Sequence, residues 1–240
     1  MEYRIFASAE ELAAVCADIF TGLLTEKKNC VLGLATGASP VKTYQELIRR
    51  YRAGRLSFAD VTTFNLDEYC DLPRDDKNSY YTFMRQNLFD HVDIRAENVH
   101  IMDGNAADPE KEAAAFDAAI EKAGGVDLQL LGVGRNGHIG FNEPAERFTD
   151  GSFKVRLKES TIEANSIYFD ENPMPRYALT MGIGTIMKAR KIVLIATGDK
   201  KAEAIRSAVK GEVTPRCPVS ILQKHPDALL LLDEAAASLL

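Results

Sequence analysis

Short apolar, β-rich runs alternate with longer stretches of helical spacing along almost the whole chain, and this alternation limits the folds open to it. Leu12, Val15, Cys16, Ile19, Phe20 and Leu23 repeat at helical spacing. Residues 30–35 (CVLGLA) form a strand-sized run ending in Thr-Gly. Val41, Tyr44, Leu47, Ile48 and Tyr51 mark a second helix face, with Gly54 beyond it. Residues 61–66 (VTTFNL) predict a strand, 79–89 a helix and 99–102 a short strand. Asp108 and Pro109 open an Ala-rich helix as N-cap and first helical residue. Residues 126–133 read as a central strand, 135–153 as a long loop, and 177–181 and 191–196 as strands. Asp199 is placed to cap a helix ending at Gly211, and residues 228–233 close the series. The pattern predicts an α/β fold: a doubly wound, mainly parallel sheet with helices on both faces, in one domain spanning residues 1–240. In such folds ligands bind beyond the carboxyl ends of the strands.

Composition narrows the function. The net charge is −6, with Lys and Arg scattered, which argues against a nucleic-acid partner. No run approaches the ~20 apolar residues of a membrane span, and the start of the chain lacks a secretory pattern. Cys16, Cys30, Cys70 and Cys217 lack metal-site or disulfide spacing, so the expectation is a cytoplasmic protein without a metal or organic cofactor. Composition leaves monomer and homo-oligomer both open.

Four segments at strand ends carry the unusual residues. In Thr36-Gly37-Ala38-Ser39-Pro40 a strand gives way to a helix, with Ser39 expected as its N-cap. Free backbone N–H groups and the helix dipole there can hold an anion. An ordinary capped turn fits the segment equally well. Asp67 and Glu68 follow another strand; a partly buried carboxylate there can serve as general base, although on spacing alone a solvated turn is the better reading. Residues 132–144 (GVGRNGHIGFNEP) place Gly132, Gly134, Gly137 and Gly140 around His138. Glu143 lies close enough to fold back on the imidazole and set its proton affinity, while Asn136 adds an amide. Lys201, after Thr197-Gly198-Asp199, can reach a phosphate across the strand ends, or can simply be solvated.

Together LATGASP, FNLDEY, GRNGHIGFNEP and TGDKKA resemble the glucosamine-6-phosphate deaminase family over nearly the whole chain, YYTFMRQNLFDHVDI and YALTMGIGTI included. The resemblance implies the doubly wound fold shared with ribose-5-phosphate isomerase and 6-phosphogluconolactonase. It implies an aldose–ketose isomerisation with hydrolytic deamination, acting on a small amino-sugar phosphate. Asp67 matches the base that moves a proton between C2 and C1, and His138 the residue that opens the sugar ring. Glu143 matches its partner, and Asn136 takes the third position of that assembly, where some members carry Asp. Thr36, Gly37, Ala38, Ser39 and Lys201 match phosphate contacts; Glu68, Gly134 and Gly137 belong to the surrounding substrate loops. These groups are expected to surround one cleft.

Two departures stand out. Ala164-Asn165-Ser166 is followed by Ile167 where many members have a phosphate-binding arginine, which leaves three alternatives: another cation substitutes, with Arg156 and Lys158 as candidates, the phosphate is held more weakly, or the preferred substrate differs. The chain ends at Leu240, and basic activator-site residues are not apparent between Phe148 and Val155, so activation by N-acetylglucosamine 6-phosphate is not expected. Galactosamine 6-phosphate is the alternative substrate. A 6-phosphogluconolactonase shares the Gly-rich His loop, but FNEP favours the deaminase. A sugar-phosphate sensor of the related fold would need a DNA-binding domain, for which this chain has no room.

Overall fold

The structure is a computed structural model and describes residues 1–159, 161–162, 166, 169 and 174–240. Its strands are β1 (Glu2–Phe6), β2 (Val31–Leu34), β3 (Thr62–Asn65), β4 (Asp67–Tyr69), β5 (Val99–His100), β6 (Leu128–Leu131), β7 (Phe153–Arg156), β8 (Tyr177–Thr180), β9 (Lys191–Ala196) and β10 (Ala228–Asp233). Helices among the described residues are α1 (Ala9–Glu26), α2 (Val41–Arg52), α3 (Tyr80–Asn87), α4 (Pro109–Lys122), α5 (Ile183–Met187) and α6 (Ala202–Lys210).

Seven strands form one sheet in the order β1-β10-β9-β6-β2-β3-β5, and every pairing in it is parallel. Both faces are covered, which is why β10 can read as an unbroken Leu run. Leu230 and Leu232 face a core shared with Phe116 of α4, Ile186 of α5 and Ile205 of α6. Leu229 and Leu231 face the other core, with Phe20 of α1, Tyr44 of α2 and Met84 of α3. Chain order reverses between β6 and β2: from β2 the sheet grows through β3 and β5, and from β6 through β9, β10 and β1. The loops leaving β2 and β6 therefore diverge and open a crevice.

The second sheet, β4-β8-β7, is antiparallel. Leu66 joins the two sheets: its N–H donates to Leu34 O at 3.0 Å, and its carbonyl accepts from Met181 N at 2.7 Å. The expected strand at 177–181 thus exists as β8, but it pairs with β4 rather than entering the parallel sheet.

One strand lies outside the expected series: residues 2–6 form β1 at the sheet edge, where Tyr3 and Ile5 stay about half exposed. Two local expectations need correction. Ser39 does not cap α2; the helix starts at Val41, and Pro40, already in helical geometry, occupies the cap position without a side-chain bond. Ser39 is left facing the crevice. Asp199 does not cap α6: residues 199–201 form a 3₁₀ turn, and its carboxylate instead accepts the Lys200 N–H at 2.8 Å. Asp108 and Ser8 do cap α4 and α1, accepting from Lys111 N and Glu11 N.

Candidate active site

A cavity of about 960 Å³ occupies the crevice at the carboxyl ends of β2, β6 and β9, with β4 as a further wall. Its first wall is the turn after β2. Gly37 there takes φ 89°, a left-handed conformation that costs glycine least. From α2, the buried Tyr44 hydroxyl donates to Ala35 O at 2.6 Å and fixes the turn from below. Thr36, Gly37, Ala38 and Ser39 all line the cavity.

Asp67 is the first residue of β4, paired in register with Thr180, and is almost wholly buried against the cavity. Burial, and then the adjacent Glu68 charge, push its carboxyl up to about 8. Burial denies the anion hydration there, so Asp67 stays an acid near neutrality. A carboxyl poised so close to working pH is suited to both taking and returning a proton.

Glu68 does not share this position. Its carboxylate points away from the cavity and accepts backbone N–H bonds from Tyr69, Tyr80 and Tyr81 at 2.8–2.9 Å. It therefore ties the start of α3 to β4, and its expected place in a substrate loop is corrected to a structural one. Alternation explains the split, since neighbouring strand residues face opposite ways.

The loop after β6 carries His138. Gly134 N donates to His138 O at 2.9 Å, and Gly137 N donates to Gly134 O, so the loop closes on itself. A methyl group at Gly134 would lie 2.1 Å from the imidazole, which means the ring rests directly on that backbone. Asn136 Oδ1 lies 2.7 Å from His138 Nδ1, and Asn136 Nδ2 donates to Glu143 Oε2 at 2.7 Å. With its amide nitrogen given to Glu143, Asn136 presents oxygen to the ring, so Nδ1 carries the proton and Nε2 is the free acceptor. Glu143 Oε1 stands 3.6 Å from Nδ1 and accepts from Thr161 Oγ1 at 2.5 Å. Asn136, not Glu143, is thus the immediate partner of the imidazole, and Glu143 steers it from behind. Burial lowers the His138 pKa, Glu143 opposes that shift, and Lys201 and Lys158 add to it.

Gly137 and Glu143 do not line the cavity; Gly137 packs against Cys217, and its carbonyl accepts from Val219 N at 2.9 Å. Gly140 presses the same loop against Asp67 and Thr180: a Cβ there would stand 3.5 Å from Asp67 Oδ2. Asp67, on the antiparallel sheet, and His138, on the loop after β6 of the parallel sheet, therefore line one space.

The fourth wall follows β9. Gly198, at φ 89°, donates its N–H to both Asp233 carboxylate oxygens at 2.9–3.0 Å. Lys201 lines the cavity, with its ammonium pKa lowered by burial and then by Arg135.

All the catalytic and phosphate residues expected from sequence gather here, with Glu143 one layer back and Glu68 excluded. Two cavity residues escaped the sequence reading. Tyr80, the first residue of α3, stacks on Phe141 with centroids 6.1 Å apart and hydrogen-bonds the Tyr69 and Thr36 hydroxyls. Arg135 also lines the cavity, and the available signal was that residues 132–144 contain no other Lys or Arg. Neither proposed substitute cation does: Arg156 lies on β7, and Lys158 donates to Pro144 O at 2.9 Å. Ile167 lies outside the described residues.

A parallel sheet opening at a switch point, with the turn after β2 facing a buried acid and a held imidazole, is the arrangement of an α/β protein of the isomerase and lactonase type. The chain belongs to the glucosamine-6-phosphate isomerases/6-phosphogluconolactonase family, whose model matches residues 6–231. It is 48% identical over 241 residues to the glucosamine-6-phosphate deaminase of Thermoanaerobacter pseudethanolicus, covering 100% of this chain and 95% of that one. The deaminase of Lysinibacillus sphaericus is 52% identical over 223 residues, 92% of this chain and 94% of its own. A solved monomeric glucosamine-6-phosphate deaminase superposes with a TM-score of 0.97 at 43% identity, each chain fully covered. The 6-phosphogluconolactonase of Trypanosoma brucei, at 22% identity and TM-score 0.78 over 99% of this chain and 97% of its own, shares the fold.

Proposed function

We propose that this chain converts glucosamine 6-phosphate to fructose 6-phosphate and ammonia. The carrying observation is one cavity in which the raised carboxyl of Asp67 and the Asn136-held His138 face an anion-binding turn and Lys201. In this reading the Thr36–Ser39 turn and Lys201 hold the phosphate and fix the sugar, so that its reacting carbons meet the acid–base groups.

Nε2 of His138 accepts the proton of the anomeric hydroxyl. The C1–O5 bond breaks, C1 becomes an aldehyde, and the proton passes to O5. Asp67, ionised when the cationic amino group of the substrate enters, removes the C2 proton. The C–H electron pair forms the C1=C2 bond, the aldehyde oxygen takes up a proton given up by the ammonium group, and the product is a neutral enolamine. Asp67 then returns its proton to C1, leaving a protonated imine at C2. Water adds to that carbon, the C–N bond breaks, and ammonia leaves as the ketone forms. Positioned proton transfers of this kind contribute roughly 10²–10⁴-fold each.

The conservative test offers glucosamine 6-phosphate, galactosamine 6-phosphate and 6-phosphogluconolactone to the protein and measures ammonia and ketose phosphate. Glucosamine 6-phosphate should be turned over, with solvent deuterium appearing at C1 of the product. Asp67→Asn should bind it yet lose turnover by roughly 10²-fold or more. Faster reaction of either other compound would reassign the substrate, and a fully active Asn variant would remove Asp67 as base.

A further inference from the structure

Resting on that reading, we propose that Arg135 is a phosphate-binding residue of this chain, acting beside Lys201 and the Thr36–Ser39 turn. Arg135 and Lys201 come from loops after different strands, β6 and β9, yet line the same cavity as that turn. They lie near enough for the guanidinium charge to bear on the ammonium. Among the described residues neither cation makes an ion pair or a side-chain hydrogen bond, whereas most other arginines do: Arg49, Arg50, Arg85, Arg95, Arg176, Arg190, Arg206 and Arg216 all pair with carboxylates.

Lys200 and the Asp199 carboxylate line the cavity as well, but among the described residues Arg135 and Lys201 are paired with no carboxylate, so they repel each other and the arrangement gains when an anion enters between them. A dianionic phosphate meets that need, and a guanidinium can grip two of its oxygens at once. The sequence leaves room for such a group, because Ile167 cannot make a charge-assisted bond and Lys158, which donates to Pro144 O, does not line the cavity. The position has a further effect. Arg135 directly follows Gly134, on whose backbone the His138 ring rests, so a phosphate drawn to Arg135 steadies the loop that opens the sugar ring.

Arg135→Gln and Arg135→Lys test the assignment, with two readouts. In the deaminase assay, Arg135→Gln should raise KM for glucosamine 6-phosphate roughly ten- to a hundredfold, the worth of a hydrogen bond to a charged group, with kcat much less affected. Arg135→Lys should recover part of the loss as a point charge. The competitive inhibition constant of inorganic phosphate should rise with KM. The second readout needs no substrate: inorganic phosphate should raise the melting temperature of the wild-type protein and do so far less for Arg135→Gln. An unchanged KM together with equal phosphate protection of both proteins would overturn the proposal, as would an absence of protection in the wild type. If the wild type shows no deaminase activity, the functional reading fails, and phosphate protection alone decides the role of Arg135.

Discussion

At residue scale the site depends on two groups that burial keeps neutral, Asp67 against its usual charge state and His138 in line with it. Asp67 holds its proton to about 8, against an ordinary 3.8, because burial and Glu68 both disfavour the anion. The linkage follows from the sign of that shift. Below 3.8 folded and unfolded chains both carry the proton, so the group costs nothing; as pH rises toward about 8 the unfolded chain releases it and the folded one does not, and stability falls. The stability of Asp67→Asn relative to wild type should therefore improve steadily between those limits in urea melts at stepped pH. A flat difference would mean that Asp67 titrates normally. His138 is kept neutral by burial, and its proton sits on Nδ1 because Asn136 offers an oxygen there. Asn136→Asp would put a charge at that 2.7 Å contact, so the imidazole should titrate higher by NMR than in wild type. Sequence made these residues visible as candidates, since each follows an apolar strand. It did not show which of Asp67 and Glu68 faces the ligand, because that depends on α3, a separate element, claiming Glu68.

At element scale, α3 and β4 are held as a unit by Glu68. Replacing it with Ala would leave the Tyr69, Tyr80 and Tyr81 N–H groups without their acceptor, at a cost of about 1–3 kcal/mol for each group left buried and unpaired. Glu68→Ala should lower the urea midpoint, and, with the neighbouring charge gone, Asp67 should titrate below about 8. A variant as stable as wild type would show that water satisfies those groups. The same unit explains why Tyr80 was missed: its helical pattern was legible, but its approach to the cavity is set by how α3 docks on β4. Strands β2, β9 and β10 were legible because burial on both faces leaves apolar runs, β6 because only Gln129 interrupts its Leu run, and β3 because its Thr-Thr-Phe is β-rich. The partner of β8 was not, because four residues do not say which sheet they join. Edge strand β1, exposed along most of its length, lacks the apolar signature altogether.

At the scale of the molecule, the cavity gathers residues from position 35 to position 201, and none of its walls is local to another. Fold class and the place of the site were legible because strand alternation fixes a parallel sheet, and a parallel sheet fixes where its loops diverge. Close approach across those loops, as between Arg135 and Lys201, was not, since it depends on the order β9-β6-β2 rather than on any one segment. That order has a consequence for a chain being synthesised. Strand β9, which delivers Lys201, lies between β6 and β10. Until residues 228–233 emerge, its KIVLIA edge has a partner on one side only, while the segments bearing Asp67 and His138 are already complete. The nascent protein thus passes through a stage that has its proton-transfer groups but presents an apolar strand edge open to pairing with other chains. Strand β10, whose Asp233 also holds Gly198 at the cavity wall, ends that exposure.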